Sequence, residues 1–264
     1  MKKYLSICKN SFIGGLVYRM HLYFTIAGNI LYIILTYFLW TSIYKNSNGT
    51  LNGMTFEQTF LYLALAASIG CLFQTFVEYD IGRNILSGNI IKDLTKPMDY
   101  QLFTLAGVIG FAFNNLLIIT VPSIVIISII AGSHIPVGIN LVFFVLAVIF
   151  SFLITFAIDY IIGLFSFYTE SIWGLANTKN VIVLLLSGAA IPLNFYPAAV
   201  RRVVEFLPFQ AIYNTPMTIL LSRDLGFSDY LYFFANQLFW IVALIALSRL
   251  FFRKAIKVVT VNGG

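Results

Sequence analysis

Charge is what this chain has least of. Only 10% of its 264 residues are Asp, Glu, Lys or Arg, and 60% are hydrophobic, where a soluble domain carries about 25% and about 45–50%. So little polar surface cannot cover a water-soluble core of this length, which excludes soluble globular folds. The apolar excess excludes a disordered chain as well. The net charge of +6 does not mark a nucleic-acid binder, because the basic residues stand between long apolar runs.

The residue types that carry chemistry are equally sparse. There are two histidines, His21 and His134. The topology below puts them on opposite sides of a bilayer, about 30 Å apart, so they share neither a metal nor a reaction. Ser133-His134 reads as part of a turn, with no Gly-x-Ser-x-Gly elbow beside it. No Gly precedes a Lys anywhere, so the chain has no Gly-x4-Gly-Lys-Ser/Thr phosphate loop and cannot hydrolyse nucleotide alone. A dinucleotide fingerprint is absent too. Cys8 and Cys71 read as structural thiols without a disulfide framework. The expectation is a chain with no catalytic residue, no metal and no cofactor of its own. No short apolar stretch ending in a small-residue cleavage site precedes Arg19, so no cleaved leader is expected.

What is present is a series of apolar runs, each near the ~20 residues that cross the ~30 Å hydrocarbon layer. They cover about 22–44, 56–78, 104–131, 140–165, 173–191 and 229–251. The runs are continuous rather than alternating, which excludes a β-barrel. The fold expected is all-α and integral to the membrane, a single transmembrane domain over 1–264 with six spans. Residues 1–20 precede the first span, with Leu5, Cys8, Phe12 and Leu16 on one helical face; they are expected to form an amphipathic surface helix. With the N-terminus inside, the inner side holds twelve Lys and Arg and the outer side four, Lys45, Arg201, Arg202 and Arg223. That imbalance puts both termini in the cytoplasm, with Asn48 outside and the 80–102 segment as the largest cytoplasmic loop.

The segment 192–226 is interrupted by Pro192, Pro197, Pro208 and Pro216. From Pro197 to Leu207 a helix reaches only about 16 Å, half a bilayer. Pro197 suits a helix start and Pro208 a stop, and a second short helix is expected from Thr215-Pro216 to Ser222. Two half-length helices fit a re-entrant hairpin entering from the outer face, the alternative being an outer loop with one surface helix. Arg201 and Glu205 share a helical face with Arg202 beside them. Pro197, Arg201, Arg202, Glu205 and Pro208 are therefore candidates for an outer gate. Within the spans only Asp159 lies well inside, in Phe156–Tyr160 of the fourth. It serves either as a buried hydrogen-bond partner of a neighbouring helix or as a lining of a cargo path. Asn114, Asn115, Asn236 and Gln237 are expected to bridge helices.

The order of these parts resembles the type-2 ABC exporter permeases. The stretches Phe167–Asn177, Leu186–Pro197, Glu205–Gln210 and Asp80–Gly88 through Leu94–Pro97 are similar to the ABC-2 family transporter permease subunits of the DUF990-like bacterial group, and the likeness covers nearly the whole chain. The resemblance implies a half-transporter: two permease chains, identical or sibling, each docked on a separate ABC ATPase subunit that binds the ATP and Mg. It implies a bacterial plasma-membrane protein exporting an amphipathic or hydrophobic cargo such as a drug, peptide or lipid. It places ATPase coupling in the loop after the second span, at Arg83, Leu86, Gly88, Leu94, Lys96 and Pro97. Lys92 lies in the helix-compatible run Asn89–Thr95 between them. The rival readings are an ion-coupled secondary transporter and a non-transporting membrane scaffold or immunity protein.

Overall fold

In lipid a backbone must satisfy its own hydrogen bonds, and continuous Leu, Ile, Phe and Tyr runs do so as helices. A computed structural model describes residues 2–17, 19–45, 47, 49–131, 138–222 and 225–258, which fold into twelve α-helices and one two-stranded hairpin. His134, Pro136, Asn48 and Arg223 lie outside the described residues. Helix α1 (Lys2–Val17) precedes α2 (Arg19–Tyr44), and strands β1 (Thr50–Leu51) and β2 (Met54–Thr55) pair antiparallel. Asn52 and Gly53, with φ of 48° and 79°, make the positive-φ turn that a tight hairpin needs. Thr55 then caps α3 (Phe56–Phe73): its Oγ1 accepts from the Gln58 amide, and the Gln58 side chain accepts from the Thr55 amide.

The second expected span, 56–78, falls within the candidate membrane span Phe56–Leu86, but its helix is interrupted. α3 ends at Phe73, and Phe76 adopts a left-handed backbone (φ 53°) before α4 (Val77–Leu86) begins. After α5 (Ile90–Leu94), the third expected span is α6 (Tyr100–Asn115) and α7 (Val121–Ala131), joined by a π-helical turn at Leu116–Thr120. Pro122 explains the interruption. It has no amide proton for the carbonyl four residues back, and its ring presses on that carbonyl, so the ladder widens just before it.

The fourth span is α8 (Ile139–Leu164) and the last is α12 (Phe227–Ala255). Between them the fifth expected span, 173–191, is α9 (Trp173–Leu186), whose 14 residues rise about 21 Å. Gly188, at φ 85°, turns the chain out of the helix. Five helices among the described residues are long and apolar enough to cross a membrane, and α9 is a shorter apolar one. The interrupted segment forms α10 (Ala198–Phe206) and α11 (Gln210–Leu221). α10 begins behind Pro197 and stops before Pro208, as the prolines dictate. The second helix, however, starts five residues before Thr215 and carries Pro216 inside it. An interior proline costs about 3 kcal/mol. Here Thr215, Met217 and Ile219, all fully buried, supply the packing that holds the helix through it.

The two ends of the bundle are distinct. One, the hairpin end, carries β1–β2 and the junctions beside Asn140 and Ser222; the other, the tail end, carries α4, α5 and the C-terminus of α12. Mid-bundle, the Gln237 amide donates to the carbonyls of Ala147 and Ala211, tying α12 to α8 and α11. Asn114, Asn115 and Asn236 likewise bridge helices, through Phe12, Cys71 and Gln210.

α6 is tied to other helices at both ends. Its first residue, Tyr100, stacks with Phe252 and sits 6.2 Å from the Tyr160 ring. Its last, Asn115, bonds the Cys71 carbonyl, one turn from Thr75, which in turn bonds Asp159. The 16 residues of α6 thus run from the C-terminal part of α12 to the C-terminal part of α3. α1 follows it in parallel. Tyr4 meets Asp99, Phe12 meets Phe113 and Asn114, and Gly15 meets Asn114.

Candidate functional site

The main polar feature inside the bundle is a cluster of three charges. The break at Gln74–Phe76 lets α4 veer against α8, where Gly82 and Gly163 allow close approach. A Cβ on Gly163 would lie 3.0 Å from Ile81 and 3.1 Å from the Glu78 backbone. This contact brings Glu78 on α4 beside Asp159 on α8, and Lys179 reaches both from α9. Lys179 Nζ is 2.7 Å from Asp159 Oδ1 and 2.9 Å from Glu78 Oε1. The Thr75 hydroxyl donates to Asp159 Oδ2 at 2.8 Å. The side chains of Glu78, Asp159 and Lys179 are 4%, 3% and 10% exposed. Glu78 Oε2 has no hydrogen-bond partner. Asp159 is twenty residues into α8, about 30 Å from its start, so the cluster lies toward the tail end rather than mid-bundle.

The sequence singled out Asp159 alone. The structure supplies the basic partner on a neighbouring helix and places Asp159 on the wall of a cavity of about 530 Å³, with Glu78, Lys179, Thr75 and Tyr213. Lys179 is one of the twelve basic residues counted on the inner side; it lies in the second turn of α9 and is 10% exposed, inside the bundle. The signal was available: if Trp173 opens a helix, its charge cannot reach water within two turns and needs a buried anion.

A second cavity, of about 710 Å³, opens at the hairpin end. Arg201 and Glu205 line it and pair with each other at 2.7 Å. Arg202 points along its own helix, its Nε 3.4 Å from the Ala198 carbonyl. Pro197 and Pro208 bound α10, so the five gate candidates fall on one hairpin arm. Both cavities share α3 and α11 as walls, and the Ser187–Ala190 turn stands between them, Ala189 lining one and Pro192 the other. The Asn214 amide holds that turn by donating to the Ser187 carbonyl. Gly188 packs so tightly there that a Cβ would lie 2.5 Å from the Tyr62 hydroxyl. Gly188→Ala is therefore expected to lower stability by about 1–3 kcal/mol, from positive φ and the clash together. Thermal unfolding in detergent should show the loss, and adding Tyr62→Phe should recover part of it. No recovery would mean that the backbone alone sets the cost.

The proposed coupling residues form one exposed corner at the tail end. α4 carries Arg83 and Leu86, and α5 carries Lys92 and Leu94. Gly88, at φ 72°, makes the turn between the helices. Arg83 pairs with Asp80 at 3.7 Å, and Lys96 with Asp93 at 2.7 Å, where it also lies 4.3 Å over the Phe103 ring. Pro97 closes the corner ahead of Asp99, which caps α6 and meets Arg249 at 3.1 Å. Among the described residues no three His, Cys, Asp or Glu side chains converge to hold a metal ion. Both cysteines are free.

The family model described as "ABC-2 family transporter protein" matches residues 30–263. No curated protein matches the chain.

Proposed function

The chain belongs to the ABC-2 transporter family, and from that premise we propose that it is the membrane half of an ATP-driven exporter. It is a multi-pass permease. Its partner is a separate ABC ATPase, because the chain has no phosphate loop of its own. A second permease chain, identical or sibling, completes the path, and the cargo is amphipathic or hydrophobic. The tail end faces the cytoplasm of a bacterial cell. Lys2, Lys3, Lys9, Lys92, Arg253 and Lys254 gather there, against Lys45, Arg201 and Arg202 at the other end. α1 lies at the cytoplasmic membrane surface, and α9 with the chain up to Pro197 completes a fifth of six crossings. The α10–α11 hairpin gates the outer end.

The observation that carries this reading is the family match over residues 30–263. Its test is partner capture and coupled turnover. The permease should bring down an ATPase whose hydrolysis is stimulated by the complex. Replacing Arg83 and Lys92 by Glu reverses the charge of the exposed α4–α5 corner and is expected to abolish that stimulation while the permease remains inserted. Wild-type stimulation in the double variant would remove the corner as the docking site, and failure to capture any ATPase would remove the reading. The charge cluster favours one rival, ion-coupled transport by this chain alone. That rival expects proton or sodium flux in vesicles holding only the permease.

A further inference from the structure

We propose that the cavity beside Glu78 receives the cationic group of an amphipathic cargo. The proposal rests on the transport reading and narrows its substrate class. Two carboxylates and one ammonium meet in the cluster, so one negative charge is left over when all are ionised. Asp159 has both oxygens engaged, by Lys179 and Thr75, whereas Glu78 has one oxygen bonded and the other, Oε2, without a partner. A carboxylate oxygen buried in this way is costly unless a cation or donor meets it. Glu78 lines the cavity of about 530 Å³, a volume in the range that holds drug-sized molecules.

The rest of the lining fits the other half of such a molecule. Phe73, Phe76, Ile158 and Ile212 present apolar surface, and the aromatic rings also favour a cation. The cavity at the hairpin end makes the contrast. Among its described lining residues the charges are Arg201 and Glu205, which pair with each other. The two cavities share walls, and a cation held beside Glu78 stands at the tail-end side of the Ser187–Ala190 turn, where cargo entering from the cytoplasm would be held before crossing.

The test uses purified full-length permease in detergent, without ATPase, in equilibrium dialysis. Tetraphenylphosphonium is the cation, and tetraphenylborate is an anion of the same shape. The phosphonium is expected to bind saturably and the borate not to compete. Glu78→Gln should weaken binding at least about tenfold. Asn180→Asp, which adds a carboxylate at the exposed rim without cutting a buried pair, should strengthen it severalfold. Glu205→Gln, in the other cavity, should leave it unchanged. Equal competition by the borate, or an affinity that neither Glu78→Gln nor Asn180→Asp moves, overturns the proposal. Should Glu78→Gln fail to fold, Asn180→Asp decides. Because no ATPase is present, failure of cation binding strikes only this proposal, and failure to capture an ATPase strikes the transport reading.

Discussion

Lys179→Met is expected to destabilise the protein by about 3–5 kcal/mol, the usual cost of removing one member of a buried ion pair. Glu78 and Asp159 are almost wholly buried and both rely on the same Nζ. Without it, two carboxylates face each other in a low dielectric with only the Thr75 hydroxyl for support. Such a loss should show as poor yield in the membrane and a sharply lower melting temperature. The same physics predicts the rescue. When Glu78→Gln and Asp159→Asn accompany Lys179→Met, no buried charge remains, and most of the stability should return. A stable single variant, or a triple variant no better than the single, would mean that the cluster is wetter than its burial indicates.

The second large effect belongs to Gly110. A Cβ there would run into the Cys8 carbonyl oxygen and lie 3.0 Å from the Phe12 amide nitrogen. Both contacts are backbone, so no rotamer change relieves them. Gly110→Leu is therefore expected to force α1 off α6, at a cost at or above the ~1–3 kcal/mol of ordinary overpacking. Cys8 reports the separation directly. Its maleimide labelling should accelerate several-fold while the buried Cys71 stays unreactive, as read by peptide mass mapping. Unchanged Cys8 labelling in a folded variant would show that α1 does not hold this seat.

Helix positions were legible because apolar runs of this length have one solution in lipid. The α10 stop was legible because Pro208 dictates it. What escaped the sequence depended on contacts between distant segments. Nothing in Gln74-Thr75-Phe76 announces a break, since Phe is among the residues least suited to positive φ. The break follows from α4 turning to meet Gly163. The third span was expected unbroken over 104–131, and its π-helical turn at Leu116–Thr120, just ahead of Pro122, was not foreseen. Pro216 misled in the other direction, because burial of its neighbours outweighed its local preference. Of the buried charges, Asp159 stood out against a purely apolar run. Lys179 stood among the polar Asn177, Thr178 and Asn180 near the start of the fifth run, and its pairing with Glu78 and Asp159 depends on contacts between distant segments.

The shortness of α9 makes bilayer thickness a variable for this protein. A helix of 14 residues rises about 21 Å in a hydrocarbon layer of about 30 Å. Its last turn gives way to the Ser187–Ala190 backbone, whose hydrogen bonds are met by Val183, the Ser187 hydroxyl and the Asn214 amide. On the six-crossing reading proposed above, either the surrounding acyl chains compress toward α9 or further protein flanks it. Shorter acyl chains ease the first demand and a second permease chain meets the second. On that reading, and for the proposed pair of permease chains, lipid chain length and pairing would be linked: in thick membranes the unpaired chain would be the strained one.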